Sequence, residues 1–175
     1  GRLTRPVVIA AVAVTLAAGV VVAVVVNRGS AGPSASQTPS QAADCPVRSA
    51  NPPAAPAAHE GDAAAFIADV TLPDCSHVGG GTTVTKVWRF RNAGTVAWKG
   101  YALHRVEPTG RPDQCQTDAD VPIADARPGE TVDVKTVITT PDQPGLCYVR
   151  FKMVDAAGAV AFPGKRPVNF QVIVD

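Results

Sequence analysis

The sequence predicts an all-β domain, an antiparallel two-sheet sandwich of about seven strands, carried behind one membrane-spanning helix and a linker. Three observations predict it. Short segments of alternating apolar residues recur after residue 63, separated by Gly, Pro and Asn turn signals. The aromatic residues (five Phe, two Trp, two Tyr) all lie between Phe66 and Phe170, so residues 1–65 cannot supply an ordinary globular core. Residues 6–26, PVVIAAVAVTLAAGVVVAVVV, carry no charge.

That uncharged run is the first element. About 20 apolar residues in a helix span roughly 30 Å, the thickness of a bilayer's hydrocarbon core. A secretory signal peptide is the rival reading, but its apolar part is usually shorter and ends at a small-residue cleavage site. Here the run ends Val24-Val25-Val26 before Asn27-Arg28. The expectation is a retained single-pass anchor at 6–26, with residues 1–5 as a cytoplasmic stub. Arg2 and Arg5 precede the run and Arg28 follows it. This slight bias places the N-terminus inside and the C-terminal domain outside the cell membrane. The chain opens on Gly1 rather than Met, which leaves room for a cytoplasmic portion upstream. Ala11, Thr15, Gly19 and Ala23 form a ridge of small residues spaced four apart. Such a ridge can pair membrane helices into a homodimer, although an Ala/Val-rich span also produces one by chance.

Residues 27–62 are rich in Ala, Pro, Ser and Gln and read as a linker. As a flexible coil it would span roughly 30–35 Å. Residues 63–175 then form the domain. Residues 66–70 make a first short strand. Residues 82–91 make a second, with Val84, Trp88 and Phe90 on one parity and Lys86 as a polar defect in it. Asn92-Ala93-Gly94-Thr95 is a turn. Residues 96–104 form a third strand, bulged at Gly100, because Trp98 and Leu103 stand on opposite parities and both suit a core. Residues 107–120 are a polar loop and 121–124 a short strand. Arg127-Pro128-Gly129-Glu130 suits a type II turn. Residues 131–139 are a strand with Val132, Val134 and Ile138 on one face. Residues 146–154 place Cys147, Val149, Phe151 and Met153 inward, and Tyr148, Arg150 and Lys152 outward. The final strand, 168–174, alternates Val168, Phe170, Val172 and Val174.

Four cysteines outside the membrane read as disulfides. Four allow three pairings. The expected one joins Cys115 to Cys147, tying the long loop to a core strand, and leaves Cys45 with Cys75 at the end of the linker. Closing that second loop stabilises by about 3–4 kcal/mol on chain entropy. No C-x-x-C pair is present, and His77 is the nearest histidine to any cysteine, so a zinc site is not expected.

The run KVWRFRNAGTVAWKGYAL at 86–103 resembles the signature of the Next-to-BRCA-one-type central Ig-like domain, also called the four-tryptophan domain. FIADVTLPD at 66–74, RPGE at 127–130 and GLCYVRFKMVD at 145–155 followed by Gly158 extend the resemblance over residues 64–174. It implies an Ig-like sandwich. Trp88 and Trp98 match the first two of the family's tryptophans. Phe151 stands where the third is expected, and residues 167–170 hold no equivalent of the fourth. In eukaryotes this domain is a protein-interaction module of selective-autophagy receptors. The anchor and the Ala/Val/Pro-rich composition point to bacterial, membrane-tethered relatives, often behind a cytoplasmic helix-turn-helix domain.

No catalytic constellation stands out. His59, His77 and His104 are scattered, and neither G-x-S-x-G nor a phosphate-binding Gly-rich loop before a helix occurs. Asp113, Asp118, Asp120 and Asp125 lack the spacing of a calcium loop and read as solvated acids. A net charge of +1 implies no bulk attraction to nucleic acid. Trp88, Phe90, Trp98, Phe151 and Phe170 read as core. The candidate binding surface is the outer side of the 146–154 strand, Tyr148, Arg150 and Lys152, with Lys165 and Arg166 before the next strand. Tyr and Arg are enriched in interfaces, though a solvated basic face looks the same in sequence. The expectation is therefore a membrane-anchored extracytoplasmic binding or adaptor module. It is not an enzyme, needs no cofactor or metal, and has a protein or cell-envelope polymer as partner. The alternative is the sensing ectodomain of a transmembrane regulator whose DNA-binding or kinase part lies upstream.

Overall fold

The computed structural model describes residues 45–175. The expected stub, the span at 6–26 with its Ala11/Thr15/Gly19/Ala23 ridge, and the first part of the linker lie outside the described residues.

Two sheets face each other. β1 (Ala64–Asp69), β3 (Thr83–Asn92) and β6 (Thr131–Thr139) form one, in the order β1-β3-β6. The other has the order β2-β8-β7-β4-β5, from β2 (Ser76–Val78), β4 (Ala102–Arg105), β5 (Asp120–Pro122), β7 (Gly145–Val154) and β8 (Val168–Val174). Period-two alternation explains the faces. Val134, Thr136 and Ile138 of β6 point inward, and so do Cys147, Val149, Phe151 and Met153 of β7. Trp88, Trp98, Phe151 and Phe170 are fully buried between the sheets. Trp88 packs edge-on against Phe151 at 5.6 Å, and its indole N–H donates to the Asn169 carbonyl at 3.0 Å. That bond settles the one polar group of a large buried ring.

The sandwich has eight strands rather than seven. β2 is the addition, running parallel to the end of β8 through Ser76↔Val172 to Val78↔Val174. The third expected strand is broken. Trp98 pairs with Ala126 as an isolated bridge, and β4 begins only at Ala102. Gly100 lies between them with φ +66°. This left-handed step favours glycine, and it turns both Trp98 and Leu103 into the core, where neither is exposed.

Residues 45–62 do not hang free as a linker. They run as a strap against the sandwich. Cys45 is bonded to Cys75, with Cα atoms 5.8 Å apart. The Gln171 side chain accepts from Val47 N–H at 2.5 Å and donates to Val47 C=O at 3.1 Å. Further on, Ala58 N–H bonds to Ala161 C=O at 2.8 Å, and His59 meets Asp155. Asp62 is buried and accepts from the Trp98 indole at 2.8 Å and the Tyr101 hydroxyl at 2.7 Å. The packed body therefore includes residues 45–62, ahead of the expected boundary at residue 63. The second disulfide, Cys115–Cys147, ties the 107–120 loop to β7 with Cα atoms 5.6 Å apart.

Candidate functional site

β1 is an edge strand, paired on one side by β3, with its register shifted between Phe66 and Ala68. Phe66 lies against Phe90 at 5.7 Å, edge to face, yet remains 54% exposed. Its exposed part borders a cleft between β1, the start of β8 and the strap. One part of the cleft, about 400 Å³, lies between the strap residues Pro46–Ser49 and the pair Asp69 and Asp74. The second part, about 240 Å³, has an apolar floor of Phe90, Phe151, Met153 and Phe162. Phe66, Arg166 and Val168 border both, so the two parts make one continuous depression.

Phe151, which stands where the family resemblance places the third tryptophan, and Val168 both line the hollow.

The structure divides the candidate surface expected from sequence. Tyr148 and Arg150 do not form an open face. The Tyr148 hydroxyl bonds to Ser49 Oγ of the strap. The Arg150 guanidinium pairs with Glu107 and lies 5.8 Å from the Tyr148 ring. Lys152, Lys165 and Arg166 instead line the apolar hollow. The Lys152 ammonium donates to the Lys165 carbonyl at 2.5 Å, and burial lowers its pKa. Among the described residues, neither Arg48, Lys165 nor Arg166 has a carboxylate partner for its side chain.

The acids at the other end are held differently. Lys86, wholly buried, donates to Asp69 Oδ1 at 2.5 Å and to the Leu72 carbonyl at 2.6 Å, so Asp69 is already paired. Asp74 is pushed up from its ordinary value, first by desolvation and then by the neighbouring Asp69 charge. The cleft is thus basic along its rim, with Asp74 and the Lys86-paired Asp69 at its acidic end.

Two titratable groups outside the cleft are deeply placed. Arg105 on β4 is 4% exposed, and burial lowers its pKa. Its Nη1 donates to the Cys115 carbonyl and Thr117 Oγ1, both at 3.1 Å, whereas Nε and Nη2 have no partner among the described residues. Tyr101 is pushed far up from its ordinary value, first by burial and then by its bond to Asp62. Periodicity could not have marked Asp62 or Gln171, because their partners lie far away in the chain.

Each histidine meets an aspartate on its own part of the surface: His59 with Asp155, His77 with Asp175 and His104 with Asp120. Of the four loop acids that the sequence reads as solvated, Asp113 pairs with Arg111, Asp120 with His104, and Asp125 accepts from Gly100 N–H at 3.2 Å; among the described residues no three metal-ligating side chains converge.

The described residues therefore define a disulfide-bonded Ig-like sandwich with a part-apolar, basic-rimmed cleft at one open edge. A family model, the Ig-like domain from next to BRCA1 gene, matches residues 71–172, and the chain belongs to that family. Among solved structures, one similar chain comes from work described as "AvmM Catalyzes Macrocyclization in Alchivemycin A Biosynthesis". It is 11% identical with a TM-score of 0.38, over 66% of this chain and 89% of that one. A likeness at that level says nothing about activity here. No curated protein matches the sequence.

Proposed function

We propose that this chain is a single-pass, membrane-anchored extracytoplasmic binding or adaptor module without chemistry of its own, and that its partner seats in the β1–β8 cleft. The cleft carries this reading. It joins an exposed aromatic, an apolar floor and unpaired cations at the free edge of a sheet, and apolar pockets with a few polar groups are the usual form of binding sites. The anchor and the outward orientation rest on the uncharged run at 6–26, and two disulfides suit an oxidising compartment. Pairing of the anchor through the Ala11–Ala23 ridge belongs to the same reading. A protein or a cell-envelope polymer fits the cleft; nucleic acid does not fit so few cations.

One observation favours the sensor alternative as a second reading. Strap residues Pro46–Ser49 are themselves a wall of the cleft. An occupant would touch the segment that leads to the anchor, as a receptor of a transmembrane regulator requires.

The test is photocrosslinking of the full chain in its own membranes. A photoreactive phenylalanine replaces Phe66 in one sample and Val137, exposed on the three-stranded sheet away from the cleft, in another. The reading expects a discrete adduct from position 66 and none from 137. Equal adducts from both, or none from 66, would reject it.

A further inference from the structure

Given the cleft as the binding site, which this step rests on, we infer that its occupant is an acidic peptide segment carrying one large apolar side chain. The two halves of that description come from different observations. The hollow of about 240 Å³ is floored by Phe90, Phe151, Met153 and Phe162, all with low exposure. Such a floor rewards a Leu- or Phe-sized side chain at about 25 cal/mol per Å² of apolar surface removed from water. A phosphate polymer has no apolar group to place there.

The rim sets the charge. Lys152, Lys165 and Arg166 stand at the hollow, and Arg48 stands across the strap side of the cleft. Among the described residues, the acids lining either part are Asp69 and Asp74, which sit at the far end, and Asp69 is neutralised by Lys86. Carboxylates flanking an apolar residue would meet these cations on both sides of the hollow. Arginine favours this pairing because its fork of N–H groups donates to both oxygens of a carboxylate.

The occupant is also expected to be extended. The β1 edge offers no partner strand on its outer side among the described residues. Extended peptides add to such edges through main-chain bonds while alternate side chains enter pockets.

The experiment pans a displayed library of random heptapeptides against the full chain in nanodiscs, with polyphosphate tested in parallel as a polyanion lacking apolar groups. The expected result is enrichment of peptides with at least two Asp or Glu around a Phe, Leu, Ile or Met. Affinity of an enriched peptide should fall roughly tenfold on Lys165→Glu with Arg166→Glu, both exposed, and should weaken with added salt. It should also fall on Val168→Phe, which fills the hollow. Thermal melting shows that each variant is folded, and Arg166→Gln provides a milder check. Enriched peptides without acids, yet sensitive to Val168→Phe, would overturn the acidic assignment and leave the cleft standing as a binding site. Binding of polyphosphate without peptide enrichment, or enrichment indifferent to every variant, would overturn the inference outright, as would no enrichment at all.

Discussion

The Lys86 ammonium and the Asp69 carboxylate meet at 2.5 Å, with the lysine side chain fully buried and the aspartate 27% exposed. The same ammonium lies 5.6 Å from the Trp88 ring centre. This pair turns a polar defect in the apolar face of β3 into a tie between β3 and the end of β1, beside the cleft's acidic end. Removing the two partners should therefore have unequal effects. Asp69→Asn leaves the buried ammonium with neutral acceptors only, its charge uncompensated, and costs about 3–5 kcal/mol. Lys86→Met leaves a carboxylate that water can reach and costs less. The double variant should recover part of the Asp69→Asn loss, as urea denaturation of all four proteins would show.

Asp62 fixes the end of the strap. Its two oxygens accept from the Trp98 indole and the Tyr101 hydroxyl. Asp62→Ala orphans both buried donors, at about 1–3 kcal/mol each. The expected loss is roughly 2–5 kcal/mol in denaturant, with Asp62→Asn intermediate because one oxygen remains.

Asp155 makes stability depend on pH in one direction. Its pKa is held below the ordinary 3.8, first by the bond from His59, then by backbone N–H groups of Ala159 and Ala157. A depressed carboxylate stabilises fully above its unfolded value, and that contribution fades as pH falls through the lower folded value. Unfolding free energy should hold steady from pH 6 to about 5 as far as this group is concerned, then drop as pH falls through and below the unfolded value. Asp155→Asn should flatten part of that drop in urea melts across the same range.

The Cys45–Cys75 bond closes a loop of sequence separation 30 that contains Val47 and Ser49. Replacing both cysteines with serine should cost about 3–4 kcal/mol. It should also speed amide exchange at Val47, whose N–H is bonded to Gln171 Oε1. Exchange in β6 and β7 should change only through global unfolding.

Much of the sandwich was legible because its strands follow simple alternation. β6 and β8 occupy the segments where the pattern places them, and Trp88, Phe90, Trp98, Phe151 and Phe170 are core. β2 escaped because three residues, Ser-His-Val, with one of them buried, make no period. The strap escaped because it is held by a disulfide, Gln171, Asp155 and Asp62 rather than by an apolar stripe. Its Pro/Ala composition resembles a linker whether it docks or not. The cleft was half legible. Lys152, Lys165 and Arg166 stood out as basic residues, but Phe66 and Arg48 join them only through the strand order. Tyr148 and Arg150 looked free because Ser49 and Glu107 lie 99 and 43 residues away from them in sequence.

The central claim is that a partner occupies the β1–β8 cleft, and one comparison tests it most directly. It is the photocrosslinking yield at position 66 of the full chain in its membranes, measured with Val168 intact and with Val168→Phe. Val168 borders both parts of the cleft, so the larger ring should exclude the partner without disturbing the sheets. The account predicts a discrete adduct from the unaltered chain and at least a severalfold loss from the folded Val168→Phe chain. An adduct of undiminished yield in that variant would contradict it.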